Sequence, residues 1–201
     1  YALVALGYTM VYGILRIINF AHGDVLMIGA LVGLSVIRVV QAIWPQLPSV
    51  LVLGLAALVA MAFCALLAML IERVAYRRLR NAPRLAPLIS GIGVSLLLQT
   101  VAMLLWTRNP QMFPQLLPLE PIELLASDSG HAAITHLTAL TTIAVAVAVM
   151  LGLVLLVERT RFGRAMRAVA ENPQVASLMG INPNRIIVLT FAIGIGFVII
   201  T

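Results

Sequence analysis

Asn19-Phe20-Ala21-His22-Gly23-Asp24 places an amide, an imidazole and a carboxylate within six residues, between two uncharged apolar stretches. A carboxylate in hydrocarbon is expensive, so this stretch must face protein or water. Two uses of Asp24 fit its residue type equally well, and both can hold at once. Unwound backbone at mid-membrane is tolerated only where it lines a cavity, which makes Asn19, His22 and Asp24 candidates for a translocation path. Asp24 is also suited to be the N-cap of a helix that starts here, accepting from its free amides. His22 has no second His or acidic chain beside it, which favours a hydrogen bond to a neighbouring helix over a proton relay. The catalytic possibilities are thin. No His and carboxylate group has metal spacing, and no span pairs a nucleophile with a base, so no catalytic residue, metal or cofactor is expected. There is no Lys anywhere in the chain, hence no glycine-rich Walker loop for ATP.

The elements that must hold these residues follow from composition. Of 201 residues 62% are apolar and 10% charged, and the mean hydropathy is +1.10, which excludes a water-soluble globule. The net charge of +6 comes from Arg alone, clustered between long uncharged runs. A duplex-reading surface needs basic residues along one exposed face, so nucleic acid is excluded as a partner and the lipid bilayer takes its place. Cys64 is single and sits in an apolar run, which rules out a disulfide framework or a cysteine metal site within the chain.

About 20 apolar residues cross a hydrocarbon core of about 30 Å. Val50 to Ile71, Leu88 to Trp106 and Ala132 to Val157 meet that length, and Ile186 to Thr201 does so if the chain continues. Arg73, Arg77, Arg78, Arg80 and Arg84 fill one connection, and Arg159, Arg161, Arg164, Arg167 and Arg185 another. Positive charge is retained on the cytoplasmic side, so these two connections are internal. The acidic, proline-rich stretch Thr107 to His131 between them is external and irregular, and Trp44, Pro45 and Pro48 form an external turn. The expected fold is all-α: a polytopic bundle forming one membrane domain over residues 1–201, with a discontinuous helix near residues 19–24. Asp24 is then roughly 12 Å into the bilayer. Tyr1 is not an initiator Met and the last apolar run meets no polar boundary, which reads as a piece of a longer chain. No cleavable signal is visible, so the first run is a retained segment.

Two further patterns stand out. Gly29 with Gly33, and Gly91 with Ser95 continued by Gln99, are small-residue spacings that let helices approach closely. Packing is the first reading of Ser95 and Gln99, and a place along a route the second. The stretch 158–185 is too long for a turn. Arg164, Arg167 and Glu171 share one helical side, opposite Met166, Val169 and Ala170. Asn172-Pro173 then supplies an N-cap with proline at the first helical position, and Gly180 closes a short helix as its C′ residue. Leu178 and Met179, if exposed, want a partner groove or lipid headgroups, and spacing alone does not choose.

These residues resemble a known family, the inner-membrane permease subunits of bacterial ABC importers for branched-chain amino acids, the LivH type. The resemblance is carried by Gly7 to Gly13, Ile18 to Asp24, Glu72 to Arg77, Leu88 to Gly93 with Ser95 and Gln99, and Arg161 to Arg167 through Glu171-Asn-Pro to Asn182. It implies a multi-pass inner-membrane subunit that is not itself an enzyme. It also implies partner ATP-binding cassette subunits, a second permease subunit and an extracytoplasmic substrate-binding protein. Glu171 to Gly180 corresponds to the family's cytoplasmic coupling loop, which directs Leu178 and Met179 towards an ATPase, and Asn19 to Asp24 to its broken segment on the route. An importer of urea or short amides is the alternative; a binding protein that holds urea and ignores leucine would decide for it. An ion-coupled carrier, the third reading, requires Asp24 or His22 to titrate during transport.

Overall fold

The computed structural model describes residues 2–15, 18–79, 82–83, 85–114, 121–126 and 132–196. Helix α1 spans Ala2–Leu15, α2 His22–Ile43, α3 Ser49–Ile71, α4 Leu85–Trp106, α5 Leu137–Arg159, α6 Arg161–Glu171, α7 Pro173–Leu178 and α8 Pro183–Gly196. A π-helical turn, Glu72–Tyr76, and a 3-10 turn, Arg77–Leu79, continue α3 without a break, giving one rod over Ser49–Leu79. Among the described residues four helices are long and apolar enough to cross a membrane: α2, the extended α3, α4 and Thr138–Arg159 of α5. Their Val and Ile content does not divert them to strands, because a backbone in lipid must satisfy its own hydrogen bonds.

The expected span Ala132 to Val157 is corrected at its start. Ala132–His136 form strand β2, which pairs antiparallel with β1, Pro121–Ala126, and the helix begins at Leu137. Thr138–Arg159 already reaches about 33 Å, so the five residues before it are not needed to cross the bilayer. The same hairpin puts strand structure into a connection expected to be irregular throughout, and is the one sheet among the described residues. Arg80, Arg84 and Arg16 lie outside those residues.

Helices α2 and α4 run parallel, with α3 antiparallel beside α2. At one end Trp106 Nε1 donates to Ser35 Oγ (2.7 Å) and an Arg38 guanidinium nitrogen to Gln111 Oε1 (2.7 Å), joining α2 to the chain after α4. At the other end the Arg-bearing pieces come together: the end of α3, the end of α5, α6, α7 and the start of α8. The main core runs from there to the middle of the rod. Met10, Val11 and Ile14 of α1, Cys64, Ala68 and Tyr76 of extended α3, Met166 and Val169 of α6, and Ile187, Phe191 and Ile195 of α8 form one buried cluster. Outward faces stay apolar: Val50 is 70% exposed and Leu104 80%. In water such faces are a liability; on a membrane span they meet lipid or another subunit.

Candidate functional site

The helical break lies between α1 and α2. Residues 18–21 are non-helical and α2 runs unbroken from His22. Asn19 organises the turn, buried at 4% exposure: its Oδ1 accepts from the Ala21 amide (3.2 Å) and from the Tyr76 hydroxyl (3.0 Å), and its carbonyl from the His22 amide (3.2 Å). Asp24 is therefore not the N-cap. Ala21 occupies that position with no side-chain cap bond, because Asn19 has already satisfied the first amides of the turn. Asp24 falls in the first helical turn, where its charge still suits the positive end of the helix.

Its carboxylate instead accepts from Gln99 Nε2 of α4 (2.9 Å), and Gln99 reaches Ser95 Oγ one turn back (3.4 Å). Asp24, Gln99 and Ser95 are half-buried along the seam between two parallel spans. The level of this group is fixed by the next residue. The Val25 carbonyl accepts from Cys64 Sγ (3.4 Å), and Cys64 is midway along the Ser49–Leu79 rod, about 22 Å from either end. Asn19 and His22 face elsewhere. The His22 ring is buried against α1, edge-on to Tyr8 with centroids 5.7 Å apart and the Val4 backbone beside it. The sequence candidates thus divide: three meet on the α2–α4 seam, Asn19 ties the break to α3, and His22 ties it to α1.

Sequence reasoning missed Tyr76. An aromatic among arginines at a membrane edge reads as an interfacial anchor. Here it is 2% exposed, bonded to Asn19 and tilted against Phe191 of α8 with centroids 5.7 Å apart. Gly91 leaves room for it: a Cβ there would stand 2.7 Å from the Tyr76 hydroxyl oxygen. Gly91→Ala is expected to displace that hydroxyl and release Asn19, at a cost of about 1–2 kcal/mol. Faster exchange of the Ala21 and His22 amides, with those of α5 unchanged, is the measurement that checks it.

The second site is the α6–α7 unit. Thr160 Oγ1 caps α6 by accepting from the Gly163 amide (3.1 Å), and Met166 and Val169 are buried while Arg164, Arg167 and Glu171 are exposed. The arginines turn back on α5. Arg167 donates to the Val157 carbonyl and Arg164 to that of Arg159 (3.4 Å), while the Thr160 hydroxyl donates to Leu156. Carbonyls that α5 leaves open at its C-terminus are thereby capped by cations and a hydroxyl. Gly163 is obligatory: a Cβ would run into the Val157 carbonyl, a constraint invisible from local sequence.

Asn172 caps α7 as expected, its Oδ1 accepting from the Gln174 (3.0 Å) and Val175 (3.1 Å) amides with Pro173 in the first turn. Gly180 closes it at φ +81°. The Ile181 amide reaches the Ala176 carbonyl (3.1 Å) and the Gly180 amide that of Ser177 (3.1 Å), a complete Schellman closure with Ile181 packed on the core. Ala176 points inward, while Leu178 is 86% and Met179 79% exposed. No group of three or more His, Cys, Asp or Glu suited to a metal occurs among the described residues.

A parallel-helix seam with a half-buried polar cluster, joined by packed side chains to an amphipathic unit at the Arg-rich end of several apolar spans, defines a polytopic membrane protein. A family profile described as "Branched-chain amino acid transport system / permease component" matches residues 1–197, and the chain belongs to that family. It is 43% identical over 195 residues to the high-affinity branched-chain amino acid transport system permease protein BraD of Pseudomonas aeruginosa, covering 96% of this chain and 62% of the relative. The permease proteins LivH of Salmonella typhimurium and Escherichia coli K12 are 42% and 41% identical over 194 residues, with the same coverage. The chain therefore spans less than two thirds of the length of these curated relatives. No solved structure matches it.

Proposed function

We propose that the chain is a membrane-spanning part of an ATP-driven importer that carries branched-chain amino acids across the bacterial inner membrane, ATP being hydrolysed by separate subunits. The Arg-rich end is cytoplasmic in this reading, by the charge asymmetry of the connections. The observation that carries it is α7, presented on a rigid α6 with Leu178 and Met179 fully outward and Ala176 inward. A two-residue apolar tip on a doubly capped helix suits a groove on a cytoplasmic ATPase. Arg164, Arg167, Asn172, Pro173 and Gly180 shape the mount, and exposed Glu171 is free to meet the partner.

The path for motion runs through packed side chains. Val169 of α6 and Ile187 and Phe191 of α8 share the buried cluster with Tyr76, and Tyr76 holds Asn19. Displacing α6–α7 would shift the break and, with it, Asp24 against Gln99. An importer uses such a link to exchange outward and inward openings, driven by differential binding of the partner in its two nucleotide states. Asp24, Gln99 and Ser95 are the route-facing residues, with Asn19 and His22 holding the segment in place. A second permease and an extracytoplasmic binding protein complete the assembly. Cysteine at Met179→Cys is expected to cross-link to a co-expressed ATPase and cysteine at buried Met166→Cys is not. Labelling of residues 162–182 from the exterior alone would sink the proposal.

A further inference from the structure

We propose that the cleft between the end of the extended α3 and the start of α8 binds an anionic phospholipid, its phosphodiester held by arginines and an acyl chain laid along both helices. A cavity of about 460 Å³ is lined by Arg77, Asn182, Asn184, Arg185, Val188 and Leu189. A second, of about 610 Å³, adjoins it through the shared Arg77 and adds Arg73 and Arg78 beside Leu70 and Val74. Four guanidinium groups thus border the joined space, and none of the described residues that line it is acidic.

The order of residues along each helix matches an amphiphile. On α3 the sequence Leu70, Val74, Arg77 steps from the middle of the rod to its Arg-rich end at helical spacing, so all three share a side. On α8, running the opposite way, Arg185 is at that same end, with Val188 and Leu189 one turn deeper. Both walls are therefore basic at the rim and apolar below. The apolar parts are open: Leu70 is 57%, Val74 62% and Leu189 45% exposed. Basic pockets between spans on the cytoplasmic side are suited to anionic headgroups. The first turn of α8 adds its amide dipoles, with Asn182 Oδ1 already accepting from the Arg185 amide (3.2 Å). An acidic protein surface or a free phosphate would answer the guanidinium charges alone. A phospholipid answers both charges and walls.

The test uses the purified intact protein in a neutral detergent, titrated separately with phosphatidylglycerol, phosphatidylcholine and glycerol phosphate while its unfolding midpoint is followed. Phosphatidylglycerol is expected to raise the midpoint saturably, with the other two inactive. Arg77→Gln with Arg185→Gln should weaken its apparent affinity about 25-fold, about fivefold per charge, while the double Lys variant keeps most of it. Both substituted positions, 77 and 185, are exposed, so folding is preserved, which the unliganded midpoint verifies. Equal protection by phosphatidylcholine, full protection by glycerol phosphate, or an unchanged affinity in the double Gln variant would each overturn the proposal. So would photo-cross-linking from position 185 in membranes that yields an ATPase adduct and no lipid adduct. None of these readouts depends on transport.

Discussion

Gly163→Ala is expected to abolish uptake while leaving the chain inserted in the membrane at its normal level. The added Cβ meets the Val157 carbonyl, a backbone atom at the end of α5 that already accepts from Arg167. Neither side can yield by turning a side chain, so the α5–α6 corner must open, at about 3 kcal/mol or more. Opening it withdraws the Arg167 and Thr160 caps from α5 and lifts Met166 and Val169 out of the core they share with α8. The span itself, an uncharged run, is untouched, so insertion continues. Uptake of labelled leucine, together with protease cleavage between residues 162 and 182 in inverted vesicles, measures both halves. Wild-type uptake with the loop still protected would mean that the corner bends without consequence.

The sequence made the spans and the α6–α7 unit legible because their signals are local. Uncharged runs of the length of a bilayer, Asn-Pro starts and a Gly end need no knowledge of neighbours. The α7 caps form as expected for that reason, and Asn182-Pro183 repeats the device before α8. What local signals do not encode is which distant residue completes a polar group. Asp24 has the right type for a cap, but Asn19 stands two residues before Ala21 and takes the first amide bonds. Tyr76 finds Asn19 across 57 positions of sequence. Gly163 shows no turn signal; its need comes from Val157 in the preceding helix. Likewise Ala132–His136 reads as the start of a span until β1 is known to lie beside it.

The family match does not distinguish among these residues. It covers the break, the seam and the α6–α7 unit alike, since it runs over residues 1–197, but it assigns a role to none of them. Geometry separates them. A residue whose side-chain oxygen and carbonyl both hold a turn, as those of Asn19 do, is committed to the break more than to a passing solute. Half-buried groups on the seam between parallel spans have both a partner and an open side. Asp24 and Gln99 are such groups, at the middle level of the longest helix. Replacing members of the two sets must therefore fail in different ways: loss of Asn19 loosens the break, whereas loss of Asp24 leaves the break intact and removes a charge from the seam.

Asp24→Asn is expected to assemble at the wild-type level and to lower uptake about tenfold or more. The amide keeps the shape and an oxygen that accepts from Gln99 Nε2, so the α2–α4 contact persists, but the bond is no longer charge-assisted and the site loses its negative field. Asp24→Ala goes further. Gln99 is left with a half-buried donor and no carboxylate within reach, and α4 should loosen from α2 near Ser95, read as faster amide exchange in α4 and lower recovery of assembled protein. The first amides of α2 do not follow, because Asn19 and not Asp24 holds them. Uptake of leucine per assembled molecule separates transport from assembly in both variants. If Asp24→Asn transports normally, the charge plays no part on the route and the seam serves packing alone. If both variants fail only in assembly, with full activity in what assembles, Asp24 is a structural partner of Gln99 and the path for the solute lies along another face.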